Sequence, residues 1–368
     1  MAEARRLLIT CMKNEGPFIL DWLAHHVAIG FDHALVFTND CDDGTVEVLD
    51  ALAAAGVVTR LDNPYERMKG SPNPQKGALK YANRLPLVQK AEWVLVADVD
   101  EYVDIHVGDG SLDALFDATD GADAISMQWR LFGNDDVDAY EDRPITHQFS
   151  KCAPIYCPSP LQAWAVKTLF RGLTAGGGVF GKLGIHRPFG PAEGTPLRWV
   201  NGSGNLVPPE FFETGWRFGI RDHGYKLVTL NHYAVRSSQS FLVKRDRGRV
   251  NHVNRDQGLS YWTRMNFNME ECRSIRRMDD KAAAARQTLD ALPGVRAAHD
   301  AAVTHHRTKI AALMEREDAR AFYDEITSPE RKLLSRHLSL LGRGDFDSGM
   351  PDLPPALLDT LRRIPVLT

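Results

Sequence analysis

The sequence predicts an α/β fold, in which a mostly parallel sheet carries helices on both of its faces. Apolar runs of strand length alternate regularly with helical segments over the first hundred residues. Some of these runs are apolar at almost every position, which is typical of strands that are covered on both sides. The chain of 368 residues, 43% hydrophobic and 25% charged, is also long enough to form a large core.

Helix and strand signals predict each element in order. Pro17 suits the first turn of the first helix, and Gly30 suits its end. The predicted order is a strand over 6–12, that helix, a strand over 34–38, a helix over 45–55, a strand over 57–61, a helix over about 78–90 and a strand over 92–97. An open sheet with helices on both faces is the economical packing of this order.

The second half of the chain has a different character. A further strand is predicted over 124–129, and the sequence is then rich in Gly, Pro and aromatic residues to about Gly258. Irregular chain of this kind commonly builds a binding cleft. After about Met278 the sequence becomes rich in Ala, Arg and Leu, which predicts a C-terminal helical extension.

Charge and cysteine content exclude several classes of protein. With 44 Lys and Arg against 48 Asp and Glu, the net charge of −4 does not favour binding to nucleic acid. Five cysteines without a C-x-x-C spacing argue against a disulfide framework or a zinc knuckle. The apolar run before Lys13 is too short for a signal peptide or a membrane span. We therefore expect a cytoplasmic protein with reduced thiols.

Two acids follow the strand predicted over 92–97, in the segment WVLVADVDEYVD. Asp98 and Asp100 are two positions apart, so they share one side of the chain at a sheet edge where ligands commonly bind. Such close carboxylates repel each other, and a hard divalent ion such as Mg²⁺, Mn²⁺ or Ca²⁺ would offset the repulsion. A turn with solvated acids is the structural alternative. The apolar run before Asp98 and Glu101 after Asp100 make that alternative weaker.

A second acidic segment, TNDCDDGT, follows the second strand. Asp40 lies at the same predicted sheet edge, where an acid can accept hydrogen bonds from a ribose or a base. Turn formation and helix capping account for Asp43, Gly44 and Thr45 without any function. Neither a G-x-G-x-x-G after the first strand nor a P-loop motif occurs, which argues against a dinucleotide oxidoreductase and a P-loop enzyme.

Three motifs together resemble a known family. They are MKNEGPFILDWLAHHVAIGFDHALVFTNDCDDGT, VLVADVDEYV about fifty residues later, and LNHYAVRSSQSFLVKRDRGR over 230–249. These motifs are similar to family 2 type nucleotide-sugar glycosyltransferases with the GT-A fold, and above all to a bacterial subgroup with a D-x-D-E metal motif. The resemblance covers about residues 5 to 250. It implies a GT-A domain over 1–275, with a nucleotide-binding half over about 1–105 and an acceptor-side half over about 106–275. The helical extension, over 276–368, lies outside the resemblance and is predicted from its composition.

The resemblance also implies roles for individual residues. Near the nucleotide sugar it implies Asn14, Glu15, Asp40, Lys76, Asp98, Lys244 and Arg247, with Arg249 as a further phosphate contact. Around a Mn²⁺ or Mg²⁺ ion it implies Asp98, Asp100 and His232. A structural histidine at position 232, and a solvated basic helix face at 244–249, are the alternatives.

The reaction that the resemblance implies requires a general base for the acceptor hydroxyl. Family 2 enzymes usually supply an Asp, often in an E-D pair that follows the metal motif. The sequence departs from that pattern, because Glu141 and Asp142 fall in a polar loop without a strand to fix them. Asp135, which follows a predicted strand, and His186, which could also bind the acceptor, are the two candidates.

The predicted function is therefore metal-dependent transfer of a sugar from a nucleotide-diphosphate donor, first of all a UDP-sugar, to a saccharide acceptor in polysaccharide biosynthesis. Inversion at the anomeric carbon is the expected outcome. A sugar-nucleotide nucleotidyltransferase and a catalytically inactive carbohydrate-binding or assembly module are the alternatives. We expect the helical extension to dock on the α/β domain, with a homodimer or a peripheral membrane contact as alternatives.

Overall fold

A computed structural model describes residues 5–68, 73–191, 196–213, 215–248 and 258–342, together with residues 194, 345 and 359. The β-strands are, in chain order, β1 (Arg6–Met12), β2 (His33–Thr38), β3 (Val58–Asp62), β4 (Trp93–Val96), β5 (Glu101–Ile105), β6 (Ala124–Leu131), β7 (Lys151–Cys152), β8 (Val166–Arg171), β9 (Phe180–Lys182), β10 (Phe189–Pro191), β11 (Trp199–Asn201), β12 (Val228–His232) and β13 (Glu270–Glu271). The α-helices are α1 (Ile19–Ile29), α2 (Thr45–Ala54), α3 (Pro74–Ala82), α4 (Pro86–Gln89), α5 (Leu112–Ala118), α6 (Ile145–Gln148), α7 (Glu210–Glu213), α8 (Ser238–Asp246), α9 (Leu259–Met265), α10 (Asp279–Asp290), α11 (Val295–Met314), α12 (Glu317–Ile326) and α13 (Pro329–Ser335).

The structure has the α/β architecture that the sequence predicts. In the described part of the chain, nine strands form one sheet in the order β3-β2-β1-β4-β8-β6-β12-β5, with β11 beside β6. Four neighbouring strands, β3, β2, β1 and β4, run parallel to one another. Strand β8 is antiparallel to both β4 and β6. The carboxyl ends of β1, β2 and β4 therefore meet at one edge of the sheet. The fold is a Rossmann-like, GT-A type sheet followed by a helical C-terminal part.

Helices cover both faces of this sheet. Leu7 and Leu8 are consecutive residues of β1, yet they belong to two different core clusters, because successive strand side chains point to opposite faces. Trp22 of α1 and Leu49 of α2 lie in the cluster of Leu8. Leu79 of α3 lies in the cluster of Leu7 on the other face. The sheet is thus buried on both sides, as the apolar strands predict.

The segment predicted as one helix over 78–90 forms two helices. Asn73 caps α3 through a hydrogen bond from the Lys76 backbone N–H to its side-chain oxygen, and Pro74 follows it, so α3 begins earlier than predicted. Leu85 has an extended backbone before Pro86, where α4 begins. A proline disfavours helical geometry in the residue before it, which explains the break.

The C-terminal helices pack against the α/β part of the chain. Helix α10 lies along α1, and α11 contacts α2 and α8. Gly44 at the start of α2 has a φ of 91°, and a Cβ placed there would lie 3.0 Å from the Cβ of Ala302 in α11. The close approach of α11 therefore favours glycine at position 44. Across the described residues, we find no helix with both the length and the apolar character that crossing a membrane requires.

Candidate functional site

The two predicted acids lie in the short loop between β4 and β5. The Asp100 side chain is 10% exposed and lies close to His232 at the end of β12. The Asp98 side chain is 35% exposed. The structure therefore places both acids at the sheet edge and brings Asp100 next to the histidine with which the resemblance groups it.

Asp100 contacts two residues that are distant from it in the sequence. Its Oδ2 atom accepts a hydrogen bond of 2.7 Å from the Nζ of Lys244 in α8, and its Oδ1 atom is 3.5 Å from Nε2 of His232. Burial alone would raise the pKa of Asp100, but the charges of Lys244 and His232 outweigh it and hold the pKa well below its usual value. Asp100 is therefore an anion with a built-in cationic partner.

Asp98 belongs to a second charged group beneath the same loop. Its Oδ1 atom accepts a hydrogen bond of 3.0 Å from Gln75, and its Oδ2 atom is 3.4 Å from the Nζ of Lys167 in β8. Lys167 is fully buried and also lies 3.5 Å from Glu101. Burial raises the pKa of Glu101 to about 8, despite the opposing effect of Lys167. Lys167 is thus the shared buried partner of Asp98 and Glu101.

The carboxylate pair offers the donor chemistry of a hard divalent ion. The described residues contain no group of three His, Cys, Asp or Glu side chains arranged to hold a metal. Mg²⁺, however, commonly takes only one or two protein carboxylates and completes its coordination with water and substrate phosphates. The oxygens of Asp98 and Asp100 fit an ion of that kind. Because Lys167 and Lys244 already neutralise these acids, such an ion would share them with the lysines.

Glu15 and Arg247, both expected at the donor, pair with each other. Glu15 is buried, and its carboxylate contacts Arg236 at 2.8 Å and Arg247 at 2.5 Å. Burial would raise the pKa of Glu15, but the two guanidinium groups outweigh this effect and lower it. Arg247 also donates hydrogen bonds to the backbone carbonyls of Lys13 and Asn14. This buried cluster fixes the loop after β1 against α8.

The remaining donor candidates lie along the same edge of the sheet. Asn14 and Asp42 form two hydrogen bonds, which join the loops after β1 and β2. Asp40 follows β2, has a φ of 51° and is 65% exposed, with Lys13 at 3.7 Å. Lys76 is exposed near the start of α3, next to the Gln75 that contacts Asp98. Arg249 lies outside the described residues.

His186 is one of the two candidates for the general base. Its Nδ1 atom lies 3.0 Å from the carbonyl oxygen of Val166, and its ring centroid lies 6.1 Å from that of Trp129 and 5.7 Å from that of Trp216. The Trp129 ring in turn is 4.3 Å from that of His232. Burial, followed by the charge of Lys167, lowers the pKa of His186 to about 4. The ring is therefore neutral at pH 7, and Nδ1 donating to Val166 leaves Nε2 free of a proton.

Asp135 is engaged elsewhere. One carboxylate oxygen accepts hydrogen bonds from the backbone N–H and the hydroxyl of Ser150, and the other is 3.7 Å from Lys151. The residue has a φ of 52° and its own N–H donates to the side chain of Asn268. These contacts fix the turn after β6. Within the described structure, no hydrogen bond or ion pair joins Asp135 to Asp98, Asp100 or His232.

Three residues of this charged cluster, Lys167, Gln75 and Arg236, are not among the site residues predicted from the sequence. Lys167 is a single charge in the apolar strand AVKTLF, and this pattern is a usable signal because a fully buried lysine requires an anionic partner. Arg236 has a φ of 55°, and its guanidinium carbon is 3.6 Å from the centroid of the Phe18 ring. Neither this backbone conformation nor the Gln75 contact has a recognisable signature in the sequence.

Comparison with known proteins gives limited support for one reaction class. No family model matches the chain. Over 95 residues, 26% of the chain, the sequence is 28% identical to a glycosyltransferase family 92 protein of Oryza sativa subsp. japonica. That match spans only 15% of the length of the rice protein. The crystal structure of residues 1–349 of S. aureus TarS aligns with 97% of this chain and 89% of its own, at 12% identity and a TM-score of 0.29, too low to carry an argument. The sequence is thus weakly similar to a glycosyltransferase, and membership of family 2 stays a prediction.

Proposed function

We propose that this protein is a glycosyltransferase that takes its sugar from a nucleotide-diphosphate donor. The observation that carries the proposal is the pairing of Asp98 and Asp100 with Lys167 and Lys244 at the carboxyl edge of the sheet. Ligands bind at that edge in open α/β sheets, and a carboxylate there can accept hydrogen bonds from a ribose hydroxyl. The local similarity to a glycosyltransferase supports the same reaction class.

Breaking the anomeric C–O bond of the donor leaves negative charge on the departing diphosphate. We propose that Lys244, which pairs with Asp100, helps to offset that charge, while the fully buried Lys167 acts through its pairing with Asp98. A Mn²⁺ or Mg²⁺ ion held by Asp98 and Asp100 would add Lewis-acid stabilisation of the same charge. Asp98, the more exposed of the two acids, is the better placed to contact the ribose and diphosphate.

If the reaction inverts, the hydroxyl group of the saccharide acceptor must pass its proton to a general base on the face of the donor sugar opposite the leaving group. We assign this role to Nε2 of His186, since the contact of Nδ1 with Val166 leaves Nε2 as the free lone pair. Asp135 is the weaker candidate, because Ser150 and Lys151 occupy its carboxylate. We further propose a UDP-sugar as donor and a saccharide in polysaccharide biosynthesis as acceptor.

The experiment that tests the proposal is a titration of UDP followed by a donor hydrolysis assay. UDP should bind more tightly with Mn²⁺ than without, and a UDP-sugar should be hydrolysed slowly in the absence of acceptor. Asp98→Asn should lower hydrolysis by about 100-fold or more, as expected for loss of a charged group at the reacting diphosphate. Asp62→Asn, which changes an acid that is 90% exposed, is the matched control.

Three results would contradict the proposal. UDP binding that is indifferent to both Mn²⁺ and Asp98 would favour a catalytically inactive binding module. Synthesis of a UDP-sugar from UTP and a sugar phosphate would identify a nucleotidyltransferase. Equal losses of hydrolysis in Asp98→Asn and Asp62→Asn would remove Asp98 from the site.

A further inference from the structure

A cavity of about 640 Å³ opens along helix α3, the helix that contacts Asp98 through Gln75. Helix α3 forms one wall and the hairpin of β9 and β10 forms the other. Gln75 of α3 contacts Asp98, while the next residue, Lys76, lines the cavity. The volume is within the range of about 300–1,000 Å³ that is usual for small-molecule sites.

The wall of this cavity is strongly basic. Lys76, Lys80, Lys182 and Arg187 all line it, and the described residues that line it include no Asp or Glu. Such a set of side chains, converging on one concave space, favours an anionic ligand, because lysine and arginine form charge-assisted hydrogen bonds with phosphate and carboxylate oxygens.

Two aromatic rings give the cavity an apolar surface as well. Phe189 and Trp216 line it together with His186. The guanidinium of Arg187 packs 4.5 Å from the centroid of the Phe189 ring and donates hydrogen bonds to the backbone carbonyls of Phe212 and Gly215. Arg187 therefore holds the aromatic wall in place. A ring such as Trp216 offers a flat apolar face to the C–H face of a sugar.

We propose that this cavity binds the acceptor and that the acceptor is an anionic saccharide, one that carries a phosphate or a carboxylate. The proposal rests on the proposed function, because His186 forms part of both the cavity wall and the assigned base. In this arrangement a sugar ring lies against Trp216 with a hydroxyl near His186. Its anionic group is then bound by Lys80 and Lys182.

The test is a fluorescence titration with small saccharides, in which Trp216→Phe identifies the part of the signal that comes from the cavity. Glucose 6-phosphate and glucuronate carry the two anions, and glucose and inorganic phosphate supply each half of the ligand alone. We expect the wild-type protein to bind at least one anionic sugar about tenfold more tightly than glucose or inorganic phosphate. The anionic sugar that binds more tightly shows whether the cavity prefers a phosphate or a carboxylate.

A double variant tests the lysines. Lys80→Gln with Lys182→Gln should reduce the preference for the anionic sugar to about threefold or less, as expected when two charge-assisted contacts are lost. Lys226→Gln with Lys281→Gln removes the same charge from exposed positions elsewhere and should leave the preference unchanged.

The outcomes separate this inference from the proposed function. Equal affinity of the wild type for glucose and both anionic sugars would overturn it, as would tight binding of inorganic phosphate alone. A parallel titration with UDP shows whether the cavity binds the donor instead of the acceptor. If the Lys80 and Lys182 double variant weakens UDP as much as the anionic sugar, the cavity serves the donor and the inference is wrong, although the proposed function stands. If the wild type binds an anionic sugar but never UDP or a UDP-sugar, the proposed function fails instead.

Discussion

The Nζ atom of Lys244 lies 2.7 Å from Oδ2 of Asp100, although the two residues are 144 positions apart. Helix α8 thus supplies positive charge to the loop between β4 and β5. The prediction of a divalent ion depends on repulsion between the carboxylates of Asp98 and Asp100. Lys244 already reduces that repulsion by pairing with Asp100. A divalent ion at Asp100 would therefore compete with Lys244 for the carboxylate oxygens.

Lys244→Met should make this competition visible. Removing the ammonium leaves Asp100 largely buried without its nearest cationic partner, so the free energy of unfolding should fall by about 3–5 kcal/mol. A divalent ion would then replace the missing charge. Mn²⁺ should therefore raise the melting temperature of Lys244→Met by more than it raises that of the wild type, as measured by thermal unfolding with and without the ion.

Lys309→Met is the control for this measurement. Lys309 pairs with Asp246 at 2.7 Å, but its side chain is 41% exposed, so its loss should cost about 1 kcal/mol or less and should create no site for Mn²⁺. Identical Mn²⁺ shifts in the wild type and in Lys244→Met would contradict a competition between Lys244 and the ion for Asp100.

The sequence predicts the position of Asp100, which follows a buried strand, but it does not predict the pairing of Asp100 with Lys244. The period of apolar runs predicts the order of β1 to β4, and the parallel pairing then places Asp40 and Asp98 at one edge. Local patterns carry no information about which distant side chain returns to a given carboxylate. The partners of Asp100 and Glu15 therefore emerge only from the packing of α8 and β12 against the first half of the chain.

Glu15→Gln should destabilise the protein strongly. The carboxylate compensates the buried guanidinium groups of Arg236 and Arg247, so its loss should lower the free energy of unfolding by about 3–5 kcal/mol in urea. Glu92→Gln is the matched change at an exposed ion pair with Arg5 and should cost about 1 kcal/mol or less. Equal stability of the two variants would contradict a structural role for Glu15.

His186→Gln and Asp135→Asn should separate the two candidates for the general base. If His186 accepts the proton, its variant should lower kcat for sugar transfer or donor hydrolysis by about 100-fold or more, while the Kd for UDP stays the same. Asp135→Asn should lower kcat by much less, because Ser150 and Lys151 occupy its carboxylate. The opposite order of the two kcat values would assign the base to Asp135.

The loop candidates differ from the strand-end acids for a physical reason. A residue that directly follows a buried strand is placed by the sheet, so the position of Asp98 is predictable. His186 is placed by its contact with the Val166 carbonyl in β8 and by two tryptophans from separate segments. Asp135 has the favourable position after a strand, yet the pairing of Ser150 with its carboxylate directs it into a turn instead.

Acid should weaken the packing of the helical extension through His306 of α11. The ring is buried against Phe18 and Tyr140, and its Nε2 atom is 3.2 Å from the hydroxyl of Ser240. Burial is the main cause that lowers the pKa of His306 to about 3. In the unfolded chain the same group titrates near its ordinary value of about 6.5. Above that pH this histidine is neutral in both states, so His306 contributes nothing to the pH dependence of stability.

As the pH falls below about 6.5, the unfolded chain takes up a proton that folded His306 does not, so the free energy of unfolding should fall by up to about 1.4 kcal/mol per pH unit until about pH 3. His306→Gln keeps an acceptor near Ser240 but cannot ionise, so urea unfolding between pH 7 and pH 5 should show a shallower loss than in the wild type. His305→Gln, an exposed neighbour on the same helix, should keep the wild-type slope. If His306→Gln and the wild type lose stability in parallel, protonation of this histidine does not control the docking of α11.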